Sequence, residues 1–294
     1  MLNKPKILVT GANGLLGRHA IRSLCEEYEI YAAVHVMPLE PVEKVKYLLL
    51  DFSSEWSTDK LPKDLEAIIH LAQSSRFREF PDQSPDIFNV NIRSTAKLLD
   101  FAWRCNVKKF IYASSGGIYG SSEIAFKENA KIADHSELGF YLGSKLCSEI
   151  LVQNYSHKFD VSILRFFFMY GAGQKTSMLI PRIIDSVKNS KSITLQGGDG
   201  LLINPIHVSD AAASLKAILN RSGSYTINIA GPVTLSLKKI SEIISHKLKI
   251  KPIFNFEEGE PPHLIGDITA MKELLCNPKI YFEDGVNDLI FDKN

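Results

Sequence analysis

The sequence predicts an α/β fold of the doubly wound kind, a parallel sheet with helices on both faces. Short apolar runs of strand type alternate with stretches of helical spacing, the pattern of a βαβ chain. The first run, Lys6-Ile-Leu-Val-Thr10, passes without a gap into Gly11-Ala-Asn-Gly14-Leu-Leu-Gly17. Beyond the glycines, Leu15, Leu16, Ala20, Ile21, Leu24 and Cys25 recur three and four residues apart, one apolar face of a helix.

A strand, a glycine-rich turn and a helix N-terminus in that order make a site for a pyrophosphate. The unpaired N–H groups of the first helical turn point at the anion, and the helix dipole favours its charge. Glycine is needed because the turn is tight and a side chain would stand between backbone and phosphate. The predicted architecture is therefore a Rossmann-type doubly wound parallel sheet. The other strands are expected at Ile30–Val36, Tyr47–Leu50 (ending at Asp51), Ala67–Ala72, Lys109–Ser114 and Val161–Phe167. Ala67-Ile-Ile-His-Leu-Ala72 is apolar almost throughout, as buried parallel strands are. Helical spacing runs from Ile87 to Arg104 and from about Leu138 to His157. Beyond Tyr170 the pattern loosens into Gly-, Pro- and Asn-rich loops, which predicts a smaller C-terminal α/β substrate lobe. The expected division is 1–167 for the nucleotide-binding domain, with a returning segment at about 203–230, and 168–202 with 231–294 for the lobe.

The bulk numbers exclude several classes. At 294 residues, with 45% hydrophobic and 23% charged, the chain has a full core and room for one large domain and a lobe. A formal charge of +1 gives no reason to expect nucleic acid or an anionic membrane as partner. No stretch reaches the ~18 consecutive apolar residues of a membrane span, and Met1-Leu-Asn-Lys-Pro5 lacks a signal peptide's apolar region. Cys25, Cys105, Cys147 and Cys276 lie far apart, so reduced thiols in a cytoplasmic protein are expected. The histidines show no HxxxH or HExxH pairing, and no metal is expected.

In such a sheet, ligands bind at the carboxyl ends of the strands. Ser114 and Ser115 end the fifth strand, and Tyr141 and Lys145 lie on the next helix, spaced i,i+4 on one face. Of the ten tyrosines, only Tyr141 has a lysine four residues later. A free phenol titrates near ~10. An adjacent ammonium is expected to lower that value, giving a group that exchanges protons with a hydroxyl or carbonyl. A serine hydroxyl in reach would hold the same substrate oxygen.

Thr10-Gly-Ala-Asn-Gly-Leu-Leu-Gly17, Ile69-His-Leu-Ala72, Asn91-Ile-Arg-Ser-Thr95, Ser114-Ser-Gly-Gly-Ile-Tyr-Gly120 and Tyr141-Leu-Gly-Ser-Lys145 fall in an order that resembles the extended short-chain dehydrogenases/reductases. The closest resemblance is to the NAD-dependent epimerase/dehydratase family, which includes the UDP-galactose 4-epimerases. Arg165-Phe-Phe-Phe-Met-Tyr-Gly171, Pro205-Ile-His-Val-Ser-Asp210 and Tyr225-Thr-Ile-Asn228 carry it into the C-terminal lobe. The resemblance implies NAD or NADP held by Gly11, Asn13, Gly14, Leu15, Leu16 and Gly17, with Asp51 and Phe52 beside the adenine. Leu71, Ala72 and Gln73 would lie by the ribose and phosphates, with Ser114, Tyr141, Lys145 and Phe168 completing the cofactor set. Ser115, Tyr141 and Lys145 match the catalytic residues; Ser115, Gly116, Tyr141 and Phe168 would face the substrate. Asn91 would brace the active-site strands. The helices near 90–104 and 139–157 imply a homodimer through a four-helix bundle.

The departures narrow the reading. The position that usually holds an Asp on the adenosine ribose falls on His35, so NAD over NADP is not specified, and Arg18 could pair with a 2′-phosphate. The Asp-Glu pair of the dehydratases is here Gly116-Gly117, which disfavours dehydration. Phe168, Ile203 and Glu260-Pro-Pro stand where polar contacts to the nucleotide diphosphate are common. Arg76, Arg78, Lys175 and Arg182 are cations that could replace them. The function expected is epimerisation of a nucleotide sugar through a keto intermediate. The alternatives are reduction of a keto nucleotide sugar, and a cofactor-binding regulator without catalysis.

Overall fold

The computed structural model describes residues 4–291; the first three residues of the Met1–Pro5 reading lie outside it. Chain order in the sheet-bearing part is β1 (Lys6–Thr10), α1 (Leu15–Leu24), β2 (Glu29–Val34), β3 (Val45–Leu49), β4 (Ala67–His70), α2 (Ser94–Arg104), β5 (Lys109–Ser115), α3 (His135–Gln153), β6 (Asp160–Phe166) and β7 (Tyr225–Ile229). They build a seven-stranded sheet in the order β7-β6-β5-β4-β1-β2-β3. The β1–β2, β2–β3, β1–β4 and β4–β5 pairings are parallel. Strand order reverses at β1, where the chain crosses from one half of the sheet to the other, so β1 and β4 leave a crevice at their carboxyl ends.

The strands form because their side chains are dry on both faces. Ile7, Leu8 and Val9 of β1 and Ile68 and Ile69 of β4 have no exposed surface, and each such side chain stabilises the fold by roughly 1.5–3 kcal/mol. Helix α1 buries Leu16, Gly17, Ala20, Ile21 and Leu24, the face its spacing predicts. A main core gathers Leu8, Ile68, Leu98, Leu99, Phe110 and Val161.

The chain divides into two compact units. One comprises Met1–Ile118, Ala133–Arg165 and Leu215–Ile227; the other comprises Tyr119–Ile132, Phe166–Ser214 and Asn228–Asn294. The boundaries differ from those read in the sequence in three places. The segments 119–132 and 166–167 join the second unit, and the returning segment is 215–227. The second unit has its own core, where Ile180, Ile183 and Val187 of one helix meet Ile240, Ile243 and Ile244 of another. It also contains a parallel pair, Ser192–Gln196 with Ile253–Glu257, that the looser sequence pattern did not show.

Candidate active site

The glycine turn is shaped by what crowds it. Gly11 has φ +65°, and a Cβ there would lie 2.7 Å from Ala72 N at the end of β4. A Cβ on Gly17 would lie 2.3 Å from Gly11 O and 2.7 Å from Ala12 Cα. These two glycines let helix and strand close on each other, so no side chain is tolerated at either. Gly14 is the N-cap of α1 and supplies no side-chain cap. The Asn13 side chain donates to Val36 O, tying the turn to the end of β2. Leu16 is buried in the core, while Leu15 is half-buried.

The residues expected to transfer protons sit on β5 and α3 of the same unit. Ser114 is buried and its Oγ has no hydrogen-bond partner. Ser115 Oγ accepts from Gly117 N at 3.1 Å within the turn Gly116–Tyr119. Helix α3 breaks at Gly139 (φ 62°, ψ 176°), so its regular part starts at Phe140 and carries Tyr141 in the first turn. Tyr141 Oη donates to Gln73 Oε1 at 3.1 Å, and its ring packs on Phe77 with centroids 4.8 Å apart. One helical turn on, Lys145 is buried, donates to Ala113 O at 2.9 Å and lies 5.2 Å from the centre of the Tyr112 ring.

The electrostatics depart from expectation at Tyr141. Burial pushes the phenol up to about 12 rather than the ammonium drawing it down. The reason lies at Lys145: burial takes its ammonium down to about 8, against the pull of Glu149, and its Nζ is committed to Ala113 O. Desolvation thus outweighs charge pairing at both groups. In this state the phenol is a proton donor.

A buried hydrogen-bond chain runs through these elements, and the sequence reading gave roles to Asn91, Tyr141 and Ala72 but to none of its other members. Asn91 Oδ1 accepts from Ser74 N at 2.9 Å, and its Nδ2 donates to Ser144 Oγ at 2.8 Å. Ser144 Oγ donates to Tyr141 O at 2.7 Å. Asn91 O accepts from Thr95 Oγ1 at 2.6 Å and Ser148 Oγ at 2.9 Å. Because Thr95 spends its proton on Asn91, His70 Nε2 must donate to Thr95 Oγ1 (3.0 Å), and Nδ1 then accepts from Thr10 Oγ1 (2.7 Å). Thr10 Oγ1 in turn accepts from Ala72 N at 3.2 Å. Burial, aided by the Lys145 charge, takes His70 down to about 3, so its ring is neutral and this bond pattern holds. The signal for it was a histidine inside an otherwise apolar strand. Glu149 and Arg165 form a second buried bond set, Nε–Oε1 3.0 Å and Nη2–Oε2 2.7 Å, which local spacing does not reveal.

The chain matches the NAD dependent epimerase/dehydratase family over residues 7–230. It belongs to that family. It is an enzyme of the extended short-chain dehydrogenase/reductase type. The uncharacterized UDP-glucose epimerase YtcB of Bacillus subtilis is 27% identical over 312 residues, with 97% of this chain and 96% of that one covered. The GDP-6-deoxy-D-talose 4-dehydrogenase of Aggregatibacter actinomycetemcomitans is 29% identical over 284 residues, with 92% of each chain covered. The crystal structure of UDP-glucuronic acid 4-epimerase from Bacillus cereus, in complex with UDP-glucuronic acid and NAD, has a TM-score of 0.84 to this chain. It is 25% identical, with 97% of this chain and 98% of that one covered.

For an epimerase/dehydratase family member, the residues present fit a dinucleotide. The helix α1 N-terminus has no side-chain cap, Gly11 and Gly17 bring backbone close, and the buried Ser114 Oγ has no protein partner. Where the adenosine is expected, His35 is exposed just past β2, its Nδ1 3.3 Å from Asp51 Oδ1. Asp51 Oδ1 accepts from Ser53 N (2.9 Å) and Ser53 Oγ (2.6 Å). Burial raises the Asp51 carboxyl, but these bonds and the His35 charge together take it below its usual range. Phe52 turns its ring into the core against Trp56, leaving only its backbone for a ligand. Leu71 is half-buried, Ala72 buried and Gln73 exposed.

Phe168 belongs to the second unit, with φ +35°, and packs on that unit's core. Ile203 is fully buried in the same core, and Glu260 is exposed. Of the cations that could serve a substrate phosphate, Arg76 bonds Glu79 at 3.0 Å and Arg78 lies over the Phe77 ring. Lys175 and Arg182 are exposed. Among the described residues, no group of three or more His, Cys, Asp or Glu could hold a metal, and no helix is long and apolar enough to cross a membrane.

Proposed function

We propose that this protein is an NAD-dependent epimerase of a nucleotide sugar, working through a keto intermediate, with Tyr141 as the acid/base group. The observation that carries the reading is a phenol, a lysine one turn on and the Ser115 hydroxyl, all in the same compact unit as the glycine turn. The naming of relatives as a UDP-glucose epimerase and a UDP-glucuronic acid 4-epimerase supports it. NAD, held at the glycine turn, would supply the hydride acceptor and donor. Tyr141 would first release its own proton to solvent; the phenolate then takes the proton of the sugar hydroxyl as that carbon is oxidised, and gives it back after the ketone has turned over. Ser115 holds the same oxygen by hydrogen bond. Lys145 would hold the ribose hydroxyls and supply positive charge beside the phenol. Gly116 and Gly117 offer neither acid nor base, so the reaction stops short of dehydration.

His35 in place of a carboxylate leaves the 2′-position without the repulsion that excludes NADP, so NADP is also accepted. Trp103 and Ile150 are exposed on the two helices that the family resemblance pairs in a dimer, and a homodimer is proposed on that ground. The 4-dehydrogenase relative favours a second reading, reduction of a keto sugar. One experiment separates the two: purified protein is given NAD with a panel of UDP- and GDP-sugars, and separately NADH or NADPH with the corresponding keto sugars, while products and reduced nicotinamide absorbance are followed. Epimerisation gives a new sugar with no net absorbance change. A stoichiometric absorbance change gives the reductase reading, and no conversion of any sugar overturns both.

A further inference from the structure

We propose that Gln73 is a positioning residue for Tyr141, its side-chain carbonyl holding the phenolic proton until a substrate hydroxyl displaces it. The proposal rests on Tyr141 being the acid/base group and adds the group that poises it. The sequence resemblance placed Gln73 with Leu71 and Ala72 beside the cofactor. Its side chain is also at hydrogen-bond distance from the proposed reacting atom, 3.1 Å from Tyr141 Oη.

The contact is built, because the backbone is pinned on both sides of Gln73. Ala72 N donates to Thr10 Oγ1 at 3.2 Å, and Ser74 N donates to Asn91 Oδ1 at 2.9 Å. Arg76 N then closes on Ser74 Oγ at 3.0 Å. The following residues clamp the start of the helix: Phe77 lies on Tyr141 and Phe80 stacks on Phe140, with centroids 4.8 and 4.9 Å apart. Both partners of the bond are thus held by the strand-end loop and the first regular turn of α3. Gln73 is also exposed, so an entering hydroxyl can reach the phenol by displacing it.

The chemistry follows from which end of the amide faces the phenol. A carbonyl oxygen only accepts, so it stabilises the protonated phenol and opposes the phenolate. The ionisable groups of the elements packed around Tyr141 do not supply the same control. Lys145 is tied to Ala113 O, His70 is neutral, and Arg76 and Arg78 engage Glu79 and the Phe77 ring. Burial drives Tyr112 of β5 well above the ordinary phenol range, which leaves it uncharged.

The test is a phenolate absorbance titration of NAD-saturated protein, with Tyr141→Phe subtracted to isolate the Tyr141 signal. Gln73→Met removes the acceptor at similar volume, and Gln73→Glu replaces it with a carboxylate. The Tyr141 midpoint is expected to fall by about half to one pH unit in Gln73→Met and to rise by about one or more in Gln73→Glu. Opposite movements are a signature that loss of packing would not give. Midpoints that stay put in both variants overturn the proposal, because an amide free to turn would serve phenol and phenolate alike. The readout needs no substrate, so it is distinct from failure of the epimerase reading, which would appear as full turnover by Tyr141→Phe.

Discussion

His70 shows how one buried side chain ties chemistry to stability. It is neutral in the folded protein and ordinary in the unfolded chain, so between about pH 6.5 and 3 the unfolded state binds the extra proton. Stability therefore falls as pH falls through that window, by at most about 1.4 kcal/mol per pH unit for this group. Chemical denaturation at pH 6, 5 and 4 should show this slope in the wild type and a shallower one in His70→Gln; equal slopes would contradict the assignment. His35 makes a second residue-scale prediction. His35→Asp should raise the ratio of NAD to NADP affinity by roughly tenfold, or about 1.4 kcal/mol, measured by binding. A ratio that moves toward NADP would refute the reading of that strand end. The places of Ser115 at the end of β5 and of Tyr141 and Lys145 on the next helix were legible because spacing and chain order are local facts. His70, Thr95 and Ser144 were not, since their bonds join residues up to 60 positions apart.

At the scale of elements, strands and glycine turn followed from apolar runs and from the residues that interrupt them. The two irregular helices did not. The stretch read as one helix from Ile87 to Arg104 is a helical turn at Ser84–Phe88, a π-turn at Asn89–Arg93 and then α2. Asn91 O accepts two side-chain hydroxyls there, which offers the backbone an alternative to regular bonding. In α3 the break at Gly139 lies at a φ/ψ that glycine alone adopts readily. Gly139→Ala should cost about 1–3 kcal/mol in denaturant unfolding. It should also lower kcat more than it weakens NAD binding, since Tyr141 begins two residues on. An unchanged kcat would show that the break does not place the phenol.

At the scale of the whole molecule, the doubly wound class was legible because each βα unit repeats the same local signals. The limits of the two units were not, because the assignment of 119–132 and 215–227 depends on contacts across long stretches of chain. The pair Ser192–Gln196 and Ile253–Glu257 was missed for the same reason: each strand is short, and its partner is far away in sequence. The family match covers residues 7–230, and the glycine turn, the Ser115 turn and Tyr141 all lie within it. Catalysis by the proposed route requires that phenol to move the proton. Turnover and NAD affinity measured side by side for Tyr141→Phe test it most directly. Turnover should fall by about 10²- to 10⁴-fold with NAD affinity nearly intact, and wild-type turnover in that variant would contradict the account.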